Sequence, residues 1–259
     1  MTMNIALTTI CVKARSDRAP MYYVRPLLDI IESHVEYTRQ QSESLTSTPL
    51  MIWSYGYIKN LLKSLGVNTL DFNPELIGRQ CFEGDRWLHD KGFFISPNAI
   101  EAREPLLYAV WLAKAYVIHT LLSREDIDAA VWLDCAYRVS YRHNHNIDEY
   151  IRYGKRMPNI ARFVDTVRAW LKSSPVVLAG SRIPPDIRID DIACVRPLAG
   201  CFIAVRKDYR DEVWNSLLKI HHELVHRKQL STDEAMWALA CKTTALVRNV
   251  DEWDIALYG

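Results

Sequence analysis

The sequence lacks the features that mark secreted, membrane-spanning and redox-active proteins. Its six cysteines include no CxxC pair, which excludes a zinc ribbon and a thioredoxin-like site and favours a reducing compartment. No run of about 18 apolar residues occurs, so no transmembrane segment is expected. The N-terminus also lacks the basic start of a secretory signal. The sequence therefore predicts a cytoplasmic protein.

The chain also has almost no net charge. Its 32 Lys and Arg residues against 31 Asp and Glu residues leave +1, so no global field attracts DNA or an anionic membrane. This balance excludes nucleic acid as the main partner, although small anionic ligands require only a local cluster of cations. With 259 residues, 49% of them apolar, the chain is long enough to bury a core in one large or two small domains.

Apolar, β-branched segments alternate with amphipathic ones along the chain. We predict strands over 4–12, 49–53, 129–133, 175–179 and 200–205. Helices are predicted over 22–37, 57–65, 103–122, 146–153, 159–171, 210–228 and 232–247. Residues 67–102 are predicted to be a connecting region with short helices. This order of strands and helices is typical of a parallel α/β sheet.

One short pattern matches the HExxH signature of zinc proteases, namely His222-Glu223-Leu224-Val225-His226. At about 100° per residue, both histidines fall opposite the apolar stripe of their predicted helix. The metzincin continuation requires a glycine and a histidine where Gln229 and Thr232 stand. The pattern therefore favours a solvated helix face, and a zinc hydrolase is the weakest alternative function.

Two charged residues stand in apolar surroundings. Asp134 ends the predicted strand 129–133, and in an open α/β sheet that end faces the ligand crevice. There its carboxylate either holds a divalent cation that bridges two phosphates or turns the chain locally. Lys114 lies in the apolar stripe of the helix 103–122. It either snorkels past Trp111 or reaches a diphosphate or a buried carboxylate.

Further polar candidates follow from local sequence. Lys13, Arg15 and Arg18 form a cationic loop after the first strand, which suits a phosphate. His143 and His145 have the spacing for a metal or a substrate, although a solvated loop explains them as well.

A capping box accounts for another polar group, in which Ser231 and Glu234 begin the predicted helix 232–247. Asp233 then lies in the first turn, where the helix dipole favours a carboxylate. On the residues alone, this capping explanation is the simpler one for all three side chains.

The order and spacing of six segments resemble the HtrL/YibB family of bacterial surface-polysaccharide proteins and, more broadly, glycosyltransferases of the GT-A fold. The segments are TTICVKARSDR, PLMIWSY, WLAK, AVWLDCAYRV, PLAGCFIAVRKDYRDEVW and LSTDEAMWALA. The resemblance spans about residues 5–245. It implies an α/β, GT-A-like (Rossmann-like), mostly parallel central sheet flanked by helices in a single domain, with a donor nucleotide half at about 1–140 and an acceptor half at about 141–259.

The same resemblance implies a glycosyltransferase of polysaccharide biosynthesis that moves a sugar from a UDP- or GDP-sugar to a glycan hydroxyl. Asp233 is the implied catalytic residue, as a base if the enzyme inverts and as a sugar-positioning acid if it retains configuration. The implied donor-binding residues are Thr9, Lys13, Arg15, Arg18, Lys114 and Asp134. The implied acceptor-binding residues are Gly200, Glu234 and His143.

The resemblance also implies a divalent cation, Mn²⁺ or Mg²⁺, at Asp134. The family motif has two acids one residue apart, whereas Cys135 and Ala136 follow Asp134 here. This departure leaves metal dependence open and makes a catalytically silent binding protein of the same fold the main alternative. The glycosyltransferase hypothesis requires Asp134 and Asp233 to meet across one crevice at the top of the sheet.

Overall fold

The computed structural model of the chain describes residues 3–12, 19–40, 48–72, 105–134, 160–179, 202–226, 236–237, 239–240 and 247–250. For residues 22, 105–112, 179, 221–222, 224–226 and 247–250 it describes the backbone only. Within this part of the chain, no helix combines the length and apolar character that a bilayer-spanning segment requires. The cytoplasmic location stays a prediction.

Seven strands and five α-helices make up the described fold. The strands are β1 (Ile5–Cys11), β2 (Leu50–Ser54), β3 (Leu70–Asp71), β4 (Ala129–Leu133), β5 (Val176–Ala179), β6 (Phe202–Arg206) and β7 (Val247–Val250). The α-helices are α1 (Met21–Gln40), α2 (Gly56–Ser64), α3 (Pro105–Leu122), α4 (Ile160–Ser173) and α5 (Arg210–His226), and a short 3₁₀ helix (Lys207–Tyr209) precedes α5.

Most of the predicted elements are present within a few residues of their expected bounds. The predicted helix 232–247 is wrong at its end, because Val247 opens strand β7, although residues 236–237 and 239–240 are helical. Strand β3 was not predicted either, and the predicted helix 146–153 lies outside the described residues. Both missed strands are short, and they are defined by pairing with a distant partner rather than by a local pattern.

All seven strands belong to one sheet, in the order β3-β2-β1-β4-β6-β5-β7. Neighbouring strands are parallel except where β6 pairs with β4 and β5. This topology confirms the predicted GT-A-like (Rossmann-like), mostly parallel sheet. The division into a donor half and an acceptor half stays a prediction.

The sheet is buried on both faces, as a largely parallel sheet requires. Along β1, Ala6 and Ile10 point into a core shared with α3 and α5, whereas Ile5 and Leu7 point into a core shared with α1 and α4. The strand alternation that separates these two cores also decides which side chains share a face at the end of each strand.

Helix α2 ends where the sequence predicts, at Gly66. The Gly66 N–H donates to the Lys63 carbonyl and the Val67 N–H donates to the Leu62 carbonyl, each at 3.0 Å. This pair of bonds is a Schellman motif, which requires the left-handed backbone that Gly66 adopts at φ 76°. The motif returns the chain to the sheet, where β3 pairs with β2.

Candidate active site

The strand order creates a switch point between β1 and β4. The chain runs outward from β1 to β2 and β3, and it then returns to β4 on the other side of β1. In open α/β sheets, ligands bind outside the carboxyl ends of the strands at such a point. Asp134 follows β4 directly and is partly buried. It therefore lies at the position where a bound ligand is expected.

Lys114 is a buried cation on α3, the helix that covers this face of the sheet. The residue is 3% exposed, so its ammonium does not snorkel to water. The Lys114 Nζ lies 5.5 Å from the centroid of the Trp132 ring, within the range of a cation–π interaction. The Lys114 ammonium of α3 therefore contacts the Trp132 ring of β4.

Strand alternation relates this pair to Asp134. Trp132 belongs to the core under α3, whereas Leu133 belongs to the opposite core. The next position, Asp134, returns to the side of Trp132 by the two-residue period of a strand. The carboxylate and the Lys114 ammonium are therefore expected on the same face of the sheet, one at its edge and one beneath α3.

The structure does not bring Thr9 to the same face. Thr9 is 1% exposed and occupies an odd-numbered position of β1, so it points towards the core that β1 shares with α1. Within the described residues, its hydroxyl oxygen has no hydrogen-bond partner. By contrast, Thr8 points to the α3 side, and its hydroxyl donates to the Met51 carbonyl at 3.2 Å.

The remaining predicted site residues lie outside the described residues, and their roles stay predictions. They are Lys13, Arg15, Arg18, His143, Gly200, Asp233 and Glu234. The expected meeting of Asp134 with Asp233 across the crevice is among these open predictions.

Two exposed tyrosines lie at the carboxyl end of the sheet and are not among the predicted site residues. Tyr55 and Tyr57, which are 47% and 66% exposed, flank Gly56 where β2 passes into α2. Gly56 has φ 59°, and nothing lies within 4 Å of the position that a Cβ would take there. The segment SYGY, which directly follows the predicted strand 49–53, is the sequence signal that could have indicated these tyrosines. It provides aromatic surface beside the switch point.

The described part of the HExxH helix agrees with the predicted orientation. Val213 and Leu217 are each 4% exposed and pack into the core under α3 and α5. Only the backbone of His222 and His226 is described, so the zinc hypothesis stays untested.

Asp134 is also the predicted ligand of a divalent cation. Among the described residues, no group of three or more His, Cys, Asp or Glu side chains is arranged to hold a metal ion. A hard divalent cation takes six or more oxygen ligands, and directly after β4 the described residues offer one carboxylate, that of Asp134. The described donor set is therefore insufficient by itself for Mn²⁺ or Mg²⁺.

A titratable residue, His119, contacts α5 from the last turn of α3. The His119 ring stacks on Trp214 of α5 with centroids 4.7 Å apart, and its Nε2 lies 3.4 Å from an Asp211 carboxylate oxygen. Burial lowers the pKa of His119, and the Asp211 hydrogen bond partly offsets that effect. The packing of α5 on the helix that carries Lys114 is therefore sensitive to pH.

The similarity of this chain to known proteins lies in solved structures and not in sequence families. No family model and no curated protein matches the chain. The chain is similar to a CMP:2-keto-3-deoxy-manno-octonic acid synthetase complexed with CTP, with TM-score 0.40 and 8% identity over 96% of this chain and 89% of that one. It is also similar to the glycosyltransferase GlyE of Streptococcus pneumoniae TIGR4, with TM-score 0.39 and 11% identity over 96% of this chain and 45% of that one. At these low scores, the fold assignment depends on the sheet topology itself, and the HtrL/YibB resemblance stays a prediction.

Proposed function

We propose that this protein is a glycosyltransferase that moves a sugar from a UDP- or GDP-sugar to a glycan hydroxyl. The observation that supports the proposal is the position of Asp134, directly after β4 at the switch point of a mostly parallel sheet. Ligands of open α/β sheets bind at this point. A carboxylate there suits the polar end of a nucleotide-sugar rather than an apolar ligand.

The buried ammonium of Lys114 supports an anionic ligand. A sugar transfer leaves negative charge on the departing nucleoside diphosphate, and fixed positive charge stabilises that transition state. Lys114 supplies such a charge on the α3 face. Lys13, Arg15 and Arg18 would add further positive charge at the phosphates, in keeping with the sequence prediction.

The acceptor side of the proposal rests on the sequence. Asp233 would take the proton from the acceptor hydroxyl as that oxygen attacks the anomeric carbon and the bond to the diphosphate breaks. Gly200, Glu234 and His143 would contact the acceptor. In a retaining enzyme, Asp233 would instead orient the donor sugar.

We also propose that a divalent cation binds at Asp134 together with the donor diphosphate. Asp134 would provide one oxygen ligand and the donor diphosphate would provide others, which is how Mg²⁺ usually binds with phosphates. Binding of UDP or GDP with and without Mn²⁺ tests this point directly, because a required metal makes the affinity depend on the ion.

A catalytically silent nucleotide-binding protein of the same fold is the second candidate. It is favoured by the acidic motif, in which one carboxylate, Asp134, stands where the glycosyltransferase motif has two. Such a protein would bind the donor without hydrolysing or transferring its sugar.

The test is a thermal-shift screen of UDP, GDP and their common sugar derivatives, each with and without Mn²⁺. A ligand that binds only the native state raises the melting temperature, and at a fixed concentration a tighter ligand raises it further. We expect a shift with one nucleotide class, and we expect Asp134→Asn to reduce it. Asp165→Asn is the matched control, because Asp165 is an exposed carboxylate that pairs with Arg168 on α4.

Turnover separates the two candidates. Release of free nucleoside diphosphate from the donor that binds would support the glycosyltransferase, whereas binding without release would support the silent protein. If no nucleotide or nucleotide-sugar shifts the melting temperature of the wild type, both candidates are wrong.

A further inference from the structure

We propose that Trp132 is a positioning residue, which holds the Lys114 ammonium by a cation–π contact as a preformed binding group for the donor diphosphate. The inference rests on the proposed function. It assigns a functional role to a buried tryptophan that would otherwise be counted as core.

The first step of the argument concerns the buried charge. Lys114 is 3% exposed, and it lies on the same helix as Ala113, Val117 and Ile118, which belong to the core under α3. An ammonium loses most of its hydration in such surroundings, and that loss must be offset by nearby groups. The face of an indole is the aromatic surface that attracts a cation most strongly.

The second step concerns the rigidity of the ring. Trp132 is 1% exposed, and on β4 it is held between Thr8 of β1 and Ile203 of β6 by the sheet register. A side chain in a central strand with neighbours on both sides has little freedom to change rotamer. The contact at 5.5 Å therefore restrains the flexible lysine rather than the tryptophan.

The third step concerns direction. Trp132 precedes Asp134 by two positions, so both are expected on the α3 side of the sheet. An ammonium held over the Trp132 ring therefore stands beneath the edge at which Asp134 lies. Preorganised charge of this kind binds an anion without the entropic cost of ordering a lysine side chain.

The experiment replaces Trp132 in the full-length protein with tryptophan carrying one, two and three ring fluorines. Fluorine withdraws electron density from the ring face while the shape of the side chain is nearly unchanged, so it weakens a cation–π contact selectively. Calorimetry with UDP or GDP, whichever gives the larger thermal shift, measures affinity at one fixed salt concentration. We expect affinity to fall with each fluorine. For Trp132→Phe, we expect a loss of about threefold to tenfold.

Two controls identify the cause. Trp170→Phe alters another buried tryptophan, which packs edge-to-face on Phe202 in the opposite core, and it should leave affinity unchanged. In a Lys114→Met background, Trp132→Phe should cause no further loss, because Trp132 acts through the lysine. An equal loss in both backgrounds would show that Trp132 only packs the core, and it would overturn the inference.

A measurement without ligand separates this inference from the proposed function. A double-mutant cycle of Lys114→Met and Trp132→Phe in urea unfolding should show favourable coupling between the two side chains. Nucleotide binding by the wild type without coupling, or without a trend in the fluorine series, overturns the positioning role alone. Failure of the wild type to bind UDP and GDP overturns the proposed function, and the ligand role of Lys114 fails with it.

Discussion

The two ends of the central sheet are built differently. At the amino end, where β1 and β4 begin, polar groups bind one another. The Asn4 N–H donates to an Asp128 carboxylate oxygen at 2.8 Å, and the Asp128 N–H donates back to the Asn4 carbonyl at 2.9 Å. The Lys207 N–H donates to the Asp128 carbonyl at 2.8 Å, which ties the end of β6 to the same point.

Charged side chains complete the amino end. The Arg206 guanidinium donates to both carboxylate oxygens of Asp208, each at 2.6 Å, and this contact lowers the pKa of the Asp208 carboxyl. The Lys207 ammonium donates to the Arg124 carbonyl at 2.6 Å, close to the end of α3. These polar groups form hydrogen bonds with one another, so we expect this end of the sheet to stabilise the fold.

The carboxyl end has a different composition. It carries the partly buried Asp134, two largely exposed tyrosines and a glycine with positive φ and open space around it. Exposed aromatic surface, and a glycine that lets a ligand approach the backbone closely, are common where a scaffold presents residues to a ligand. We therefore expect stability and ligand binding to be divided between the two ends of one sheet.

Substitution of one aspartate at each end should give the largest contrast. Asp134→Asn should reduce donor turnover about 100-fold or more, because it removes charge from the reacting end. Asp128→Ala should retain turnover and lower the free energy of unfolding by about 0.5–1.5 kcal/mol, because the Asn4 N–H loses its acceptor. Steady-state kinetics and urea unfolding measure both. Loss of turnover in Asp128→Ala alone would refute the division.

Lys114→Met should give the next largest effect. We expect affinity for the nucleoside diphosphate to fall about tenfold or more, because a charge-assisted contact is lost. The free energy of unfolding should be equal to or above that of the wild type, because methionine fills similar space without a buried charge. Calorimetry and urea unfolding test the pair of outcomes, with the exposed Lys172→Met on α4 as the control. Unchanged nucleotide affinity in Lys114→Met would show that Lys114 does not contribute to binding.

Gly56→Ala should destabilise the carboxyl end although nothing obstructs the new methyl group. At φ 59°, an L-residue is strained, and we expect a loss of about 1–2 kcal/mol in the free energy of unfolding. Gly66→Ala, at φ 76°, should cost a similar amount at the far end of α2. Gly56→Asn should cost less than Gly56→Ala, since asparagine tolerates this region better. Equal stability of wild type and Gly56→Ala in urea would contradict the assigned backbone conformation.

The smallest expected effect is the pH dependence of the α3–α5 contact. Burial lowers the pKa of His119, so the unfolded chain binds this proton more readily than the folded one. The free energy of unfolding should therefore decrease as pH falls below about 6.5, and the contribution is fully present above that pH. His119→Gln should flatten this part of the profile. Unfolding midpoints at pH 7.5 and 5.5 provide the measurement, and an unchanged slope would exclude His119 as its source.

A matched comparison comes from α1. Burial also lowers the pKa of His34, whose Nε2 lies 2.6 Å from the Thr48 carbonyl. His34→Gln should therefore flatten the same pH range independently, and the two effects should add because the residues lie on different helices.

Much of the fold was predictable because its signals are local. Buried strands such as Ile5–Cys11 and Ala129–Leu133 consist of apolar and β-branched residues that are buried throughout, and Gly66 ends α2 by a left-handed conformation that glycine adopts without strain. The position of Asp134 was predictable for the same reason, since it directly follows such a strand. The place of Lys114 in the apolar stripe of α3 was also predicted, whereas only the structure distinguished burial from snorkelling.

Other features depend on partners that are distant along the chain. Val247–Val250 is a strand because it pairs with Val176–Ala179, and its own pattern of two valines around Arg248 and Asn249 shows no alternation. The contact of Lys114 with Trp132 requires α3 to pack on β4, and the separation of Thr9 from Lys114 requires α1 and α3 to cover opposite faces. Local preference determined which segments are strands and helices, whereas only tertiary packing decided which charged and aromatic side chains meet, because that choice depends on the side of the sheet that each helix covers.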